Sequence, residues 1–127
     1  MSYTLDMRIL RNKWRNARAA FRALGMLARE ETSFQMQLFS GVITIAISYL
    51  LRISHVEWLI VILTIGMVLA TESINTAIEE LCDHVTPEEH AHIAKIKDLA
   101  ATAIALIQIA ALIIGCIIFI PRILALV

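Results

Sequence analysis

Charge, glycine, proline and cysteine are all scarce in this chain of 127 residues. Only 17% of it is charged, and there are four glycines, two prolines and two cysteines. With so little Gly and Pro there is no linker, repeat or low-complexity tract, and the length suits a single domain. Cys82 and Cys116 make neither a metal-ligand spacing nor a disulfide framework. No GxxxxGK[ST] loop and no kinase-type Gly-rich loop occurs, so the phosphate-binding folds built on those loops are excluded. The short apolar core and cleavage site of a secretory signal are also missing at the N-terminus, and the chain is expected to be unprocessed.

What the chain has instead is apolar surface. It is 59% hydrophobic with a mean hydropathy of +0.77, beyond the usual composition of a soluble domain. Net charge is zero, but the basic residues are unevenly placed. Seven of eleven (Arg8, Arg11, Lys13, Arg15, Arg18, Arg22 and Arg29) precede the first apolar run.

Residues 1–6 are expected to be disordered. From Met7 to Arg29, Leu10, Trp14, Ala17, Phe21, Leu24 and Ala28 recur four and three apart, the signature of an amphipathic helix. An Arg stripe runs beside that apolar face, which suits a helix lying in the headgroup layer of an anionic leaflet. A solvated basic face on an ordinary packed helix is the plainer alternative. A nucleic-acid-binding arm fits poorly, because stacking aromatics are not interleaved with the basic residues.

The predicted elements are a surface helix at 7–29 and transmembrane helices at 34–52, 56–83 and 96–120. Phe34 to Leu51 is uncharged and nearly long enough to cross a hydrocarbon core of about 30 Å. The second span begins near Glu57, with Trp58 as an interfacial anchor, and is expected to run past the membrane to Asp83. Thr86-Pro87-Glu88-Glu89 reads as the cap and first turn of a new helix. Pro121-Arg122 is expected to end the third span. The N-terminal helix with Lys95 and Lys97 carries nine basic residues on one side, against Arg52 and Arg122 on the other. The positive-inside rule therefore makes the N-terminal helix and the 80–97 loop cytoplasmic. The expected fold is an all-α integral membrane protein.

The chemistry concentrates between Thr71 and Ala101. Glu72, Asn75, Glu79 and Asp83 are three, four and four apart and share one helical face. Acids at the edge of a hydrocarbon span are costly unless paired, hydrated or holding a cation. Carboxylates and an amide oxygen are the hard ligands that Mg²⁺ accepts, and Lys97 beside Asp98 suits phosphate oxygens. A partly buried carboxylate near the apolar region, its proton affinity raised, suits a general base acting on a lipid hydroxyl. Each residue taken singly also has an ordinary reading: Glu72 snorkelling to the interface, Glu79 and Glu80 solvated, Lys97 and Asp98 paired at a helix start. Their concentration on one face and one side of the membrane is what points to an ATP-dependent lipid kinase. His84, His90 and His92 with Cys82 match no compact transition-metal set.

The run Glu72-x-x-Asn75-Thr76-Ala77-Ile78-Glu79-x-x-x-Asp83, followed by His90 and then Lys95-x-Lys97-Asp98, resembles the signature of the small prokaryotic diacylglycerol kinases. Glu30 to Phe34 resembles the acidic pair ahead of that family's first span, and the resemblance covers roughly residues 14–120. It implies a homotrimer of three-span subunits with an N-terminal surface helix, moving the ATP γ-phosphate to a lipid alcohol. By position, Glu72 is implied as general base and Asn75 as a site-shaping hydrogen-bonder. Glu31 and Glu79 are implied as ligands of the ATP-bound Mg²⁺. Lys97 and Asp98 are implied to contact nucleotide phosphate and ribose, with Asp83 in support and Glu88 to His90 alongside. Phe34 and Arg22 are expected with Glu72 on the lipid substrate. Ala19 and Ala23 depart from the Tyr and Gly that many members carry in the surface helix. The EE…TPE-x-H pattern is similar to the Gram-positive-like branch, some of whose members resemble undecaprenol kinases. The expected acceptor is diacylglycerol, with undecaprenol as the alternative. From other classes, a small multidrug-type transporter needs its acid nearer mid-span, and a purely structural membrane protein has no use for this acidic face.

Overall fold

The computed structural model describes residues 2–85 and 90–127. Four helices account for nearly all of them: α1 Ser2–Glu30, α2 Thr32–Leu50, α3 His55–Val85 and α4 Ala91–Leu124. The last three are long and apolar enough to cross a membrane. The all-α architecture with three candidate spans is therefore as expected. The proposed cap at Thr86 to Glu89, and with it Glu88, lies outside the described residues.

Two boundaries differ from the sequence reading. Residues 2–6 are helical rather than disordered, because Tyr3 and Met7 extend the apolar face of Leu10 and Trp14 by another turn. Pro121 does not end the third span; α4 continues through it to Leu124. A proline removes one backbone donor, but Arg122 anchors this last turn to the α2–α3 connection. Its Nε and Nη2 donate to the two carboxylate oxygens of Glu57, and its Nη1 donates to the Arg52 carbonyl at 3.2 Å.

Glu57 is held for that clamp by its own helix start. Its carboxylate accepts from the Ser54 N–H at 3.1 Å, and its N–H donates to the Ser54 hydroxyl at 3.2 Å, a reciprocal capping box. Just ahead, Arg52 has φ 52°, the left-handed turn that reverses the chain. Ile53, Val61 and Ile118 form a small buried cluster here, and Trp58 packs against it. Trp58 therefore contributes to packing as well as sitting near a span end. Arg122→Met is expected to lower stability by leaving Glu57 without its charged partner. The check is the thermal unfolding midpoint of the detergent-solubilised protein, and an unchanged midpoint would dismiss the clamp as a stabilising element.

α2 and α3 are antiparallel and meet where Gly41 approaches Ile65; a Cβ on Gly41 would lie 3.1 Å from Ile65 Cγ2. Absence of a side chain is what permits this approach, as in many membrane helix pairs. The hydroxyls of Thr44 and Ser48 donate to carbonyls one turn back, at 2.8 and 2.7 Å, so α2 carries them without unsatisfied donors. Elsewhere the spans present exposed Leu, Ile, Val, Met and Phe outward, as a lipid-facing surface requires.

Candidate active site

The acidic face of α3 lies at the end of the bundle away from the Arg122 clamp. Helical rise sets what stands beside it. Gly41 is level with Ile65; seven residues back along α2 is Phe34, and seven on along α3 is Glu72. Three further residues bring Glu31 level with Asn75. Phe34 is 2% exposed and Glu72 4%, so a carboxylate and an aromatic ring are both withdrawn from water at this height. Burying a carboxylate is costly, and a fold tolerates it where the group has a task.

One turn on, Asn75 donates from Nδ2 to Glu79 Oε1 at 3.1 Å. The same side chain leaves its Oδ1 buried with no hydrogen-bond partner among the described residues. A further turn on, Cys82 is buried beneath the face and Asp83 Oδ1 takes a 2.6 Å bond from Lys97 Nζ on α4. This pair marks the register of α4 against α3. It also holds the ammonium beside the acidic face.

Glu31 is the N-cap of α2, with extended backbone and no side-chain capping bond, so its carboxylate is uncommitted to the helix. Its place is secured by Gln35, whose amide donates to the Ala28 and Arg29 carbonyls at 3.0 Å and ties the end of α1 to α2. Leu27 is buried at the same corner. Nothing in the sequence marks Gln35 for this work; it reads as an ordinary polar residue early in an uncharged run.

Other expected site residues lie farther out. His90 caps α4, its Nδ1 accepting the His92 N–H at 3.2 Å. Asp98 is exposed one residue beyond Lys97, and Arg22 is exposed on α1. Among the described residues neither Asp98 nor Arg22 has a side-chain hydrogen bond or ion pair with the acidic face. Thr76, not singled out from sequence, donates its hydroxyl to the Glu72 carbonyl at 3.0 Å.

No three His, Cys, Asp or Glu side chains gather into a metal-holding group among the described residues. The candidate oxygens are the Glu79 carboxylate and the partnerless Asn75 Oδ1 on α3, with Glu31 level with Asn75 on α2 by helical rise. That set is too small for a metal caged by protein alone. It fits Mg²⁺ arriving with a nucleotide, since Mg²⁺ commonly takes one or two carboxylates and completes its shell with water and phosphate.

The comparisons with known proteins bear on the family. A family model described as prokaryotic diacylglycerol kinase matches residues 18–119, from the last turns of α1 to near the end of α4. The undecaprenol kinase of Bacillus subtilis (strain 168) is 34% identical over 103 residues, 81% of this chain and 84% of that protein. The diacylglycerol kinase of Synechocystis sp. is 34% identical over 97 residues, 76% of this chain, and there the chain spans only 55% of its relative. The chain belongs to the prokaryotic diacylglycerol kinase family of membrane lipid kinases.

Proposed function

We propose that the protein transfers the γ-phosphate of ATP to the hydroxyl of a membrane lipid alcohol, with diacylglycerol as the acceptor and phosphatidic acid as the product. The observation that carries this reading is a buried carboxylate, Glu72, at the edge of an apolar span beside further acids and a lysine. Glu72 is the general base: one oxygen takes the proton of the lipid hydroxyl as that hydroxyl oxygen bonds to the γ-phosphorus. The bond from γ-phosphorus to the bridging oxygen breaks, and ADP leaves with that electron pair. Phosphoryl transfer of this kind is mostly positioning and charge compensation.

The nucleotide lies over the polar continuation of α3. Lys97 releases Asp83 to neutralise phosphate oxygens, and Asp98 and His90 lie at the ribose side, with Glu88 in the same connection. Glu31 and Glu79 hold the Mg²⁺ that comes with ATP, which supplies neutralisation of phosphate charge. Asn75 keeps the Glu79 carboxylate oriented through its 3.1 Å bond. Phe34 and Arg22 meet the lipid, the ring beside Glu72 and the guanidinium at the headgroup level. The acidic end faces the cytosol of a bacterial inner membrane, as the basic α1 implies. A homotrimer completes the site, because three thin helices enclose too little space for a nucleotide.

Undecaprenol is the second reading for the acceptor. What favours it is that the relative aligned over 84% of its length is named undecaprenol kinase, whereas the diacylglycerol kinase is aligned over 55%. The test is a Mg-ATP assay in mixed micelles with each lipid in turn. Phosphate transfer to diacylglycerol at the higher kcat/KM is expected. Preferential labelling of undecaprenol would move the protein to the second reading, and transfer to neither by the folded protein would refute the kinase chemistry.

A further inference from the structure

A groove of about 490 Å³ runs between α2, α3 and α4 inside the membrane-spanning part of the bundle. That is within the roughly 300–1,000 Å³ range of small-ligand sites. Most of its wall is aliphatic, with Val61, Ile65 and Val68 from α3, but two amides, Gln37 and Gln108, line it as well. Their height is set by the contacts already described. Lys97 meets Asp83; eleven residues back along α3 is Glu72, and eleven on along α4 is Gln108. Arg122 meeting Glu57 at the far end gives the same register to within one residue. Gln108 is thus level with the proposed base. Gln37 lies one turn deeper, level with Leu69 by the Gly41–Ile65 contact.

Neither amide has a side-chain hydrogen bond among the described residues. An amide inside the hydrocarbon layer is costly without a partner, and such groups mark substrate paths or helix contacts. The groove therefore has its two amides toward the height of Glu72, while the rest of its wall is mainly aliphatic, with the hydroxyl residues Ser40, Thr44 and Thr64 among it; those of Thr44 and Thr64 are spent on backbone carbonyls. That is the profile of an amphiphile with hydrogen-bond acceptors just below its reacting hydroxyl.

We propose that Gln108, with Gln37 beneath it, binds the ester carbonyls of a glycerolipid acceptor whose hydrocarbon chain lies in this groove. The amide N–H groups donate to the carbonyl oxygens, and the hydroxyl is thereby held at the level of Glu72. A polyprenol offers no oxygen below its hydroxyl, so these two residues discriminate between the acceptor classes. The proposal rests on the kinase reading with Glu72 as base, and it adds how the acceptor is chosen.

The test uses the full-length protein in mixed micelles, with KM and kcat measured for diacylglycerol, undecaprenol and ATP. Gln108→Leu keeps a membrane-compatible side chain of similar length and removes the hydrogen bond. Its KM for diacylglycerol should rise about three- to tenfold, with KM for ATP, turnover at saturation and the oligomeric state unchanged. Gly115→Leu tests the chain channel independently. A Cβ there meets only Phe119 Cδ2 at 3.9 Å, an ordinary contact, and Gly115 lines the groove that the larger side chain would narrow. It should raise KM for long-chain diacylglycerols and spare short-chain ones.

Equal effects of Gln108→Leu on both acceptors, or none on diacylglycerol, would overturn the proposal while leaving the kinase reading intact. So would dissociation of the assembly, which would make the amide a contact between copies, or a wild-type protein that phosphorylates only undecaprenol. Transfer to neither lipid by the wild-type protein would refute the underlying reading instead.

Discussion

Glu72→Gln is expected to lower kcat by about 10²–10⁴-fold while leaving nucleotide affinity nearly unchanged. The substitution keeps the shape of the side chain and removes its ability to accept a proton. Position argues for a large effect. Glu72 is 4% exposed, level with Phe34, and one turn inside the Asn75–Glu79 pair. On the proposed mechanism, a lipid hydroxyl at the membrane edge would meet this carboxylate before the others. Because Glu72 is buried, water is a poor substitute for the lost base. The measurement is a Mg-ATP titration of variant and wild type in mixed micelles, read as kcat and KM separately, with nucleotide binding followed directly. Unchanged kcat would remove Glu72 from the base role. A lost nucleotide site with kcat preserved at saturation would move it to the binding machinery.

Glu79→Gln is expected to act on a different axis, raising the Mg²⁺ concentration needed for half-maximal activity by about 10–100-fold. Glu79 is one of the few carboxylates on the α3 face, and its orientation is fixed by the amide of Asn75. The variant loses the charge that a hard cation requires, yet an amide at this position still accepts the Asn75 hydrogen bond, so local structure survives. Activity at saturating Mg²⁺ should recover in part. A Mg²⁺ titration curve superimposable on that of the wild type would sink the ligand assignment, whatever happened to kcat. The two substitutions are separable because one removes a proton acceptor and the other a cation ligand.

How much of this is legible in the sequence depends on the distance over which each contact acts. The helices follow from local pattern: the three- and four-residue recurrence in α1, the uncharged run of α2 and the continuous apolar stretches of α3 and α4. The shared face of Glu72, Asn75, Glu79 and Asp83 is likewise a property of one helix. What local pattern misreads rests on longer contacts. Pro121 reads as a terminator until Arg122 is seen to reach Glu57, sixty-five positions earlier. The S-x-x-E box at Ser54 to Glu57 is a local cap signal, but nothing local shows that its carboxylate also holds the end of α4. Gln108 lies in a featureless apolar span, where a single amide carries no pattern.

The amino-acid sequence by itself determined that this protein has three apolar spans, a basic amphipathic helix and a cluster of acids on one face of α3. Each is a short-range consequence of side-chain polarity and helical period. Only the tertiary structure decided that Glu72 is buried while Glu79 is exposed, and that Asn75 spends its donor on Glu79 and leaves its acceptor open. It alone set Lys97 on Asp83 and Gln108 at the height of Glu72. The reason is physical: polarity fixes which residues enter the membrane, but register between antiparallel helices is set by close packing such as Gly41 against Ile65. One residue of slip along a helix moves a side chain about 1.5 Å and turns it by roughly a quarter turn.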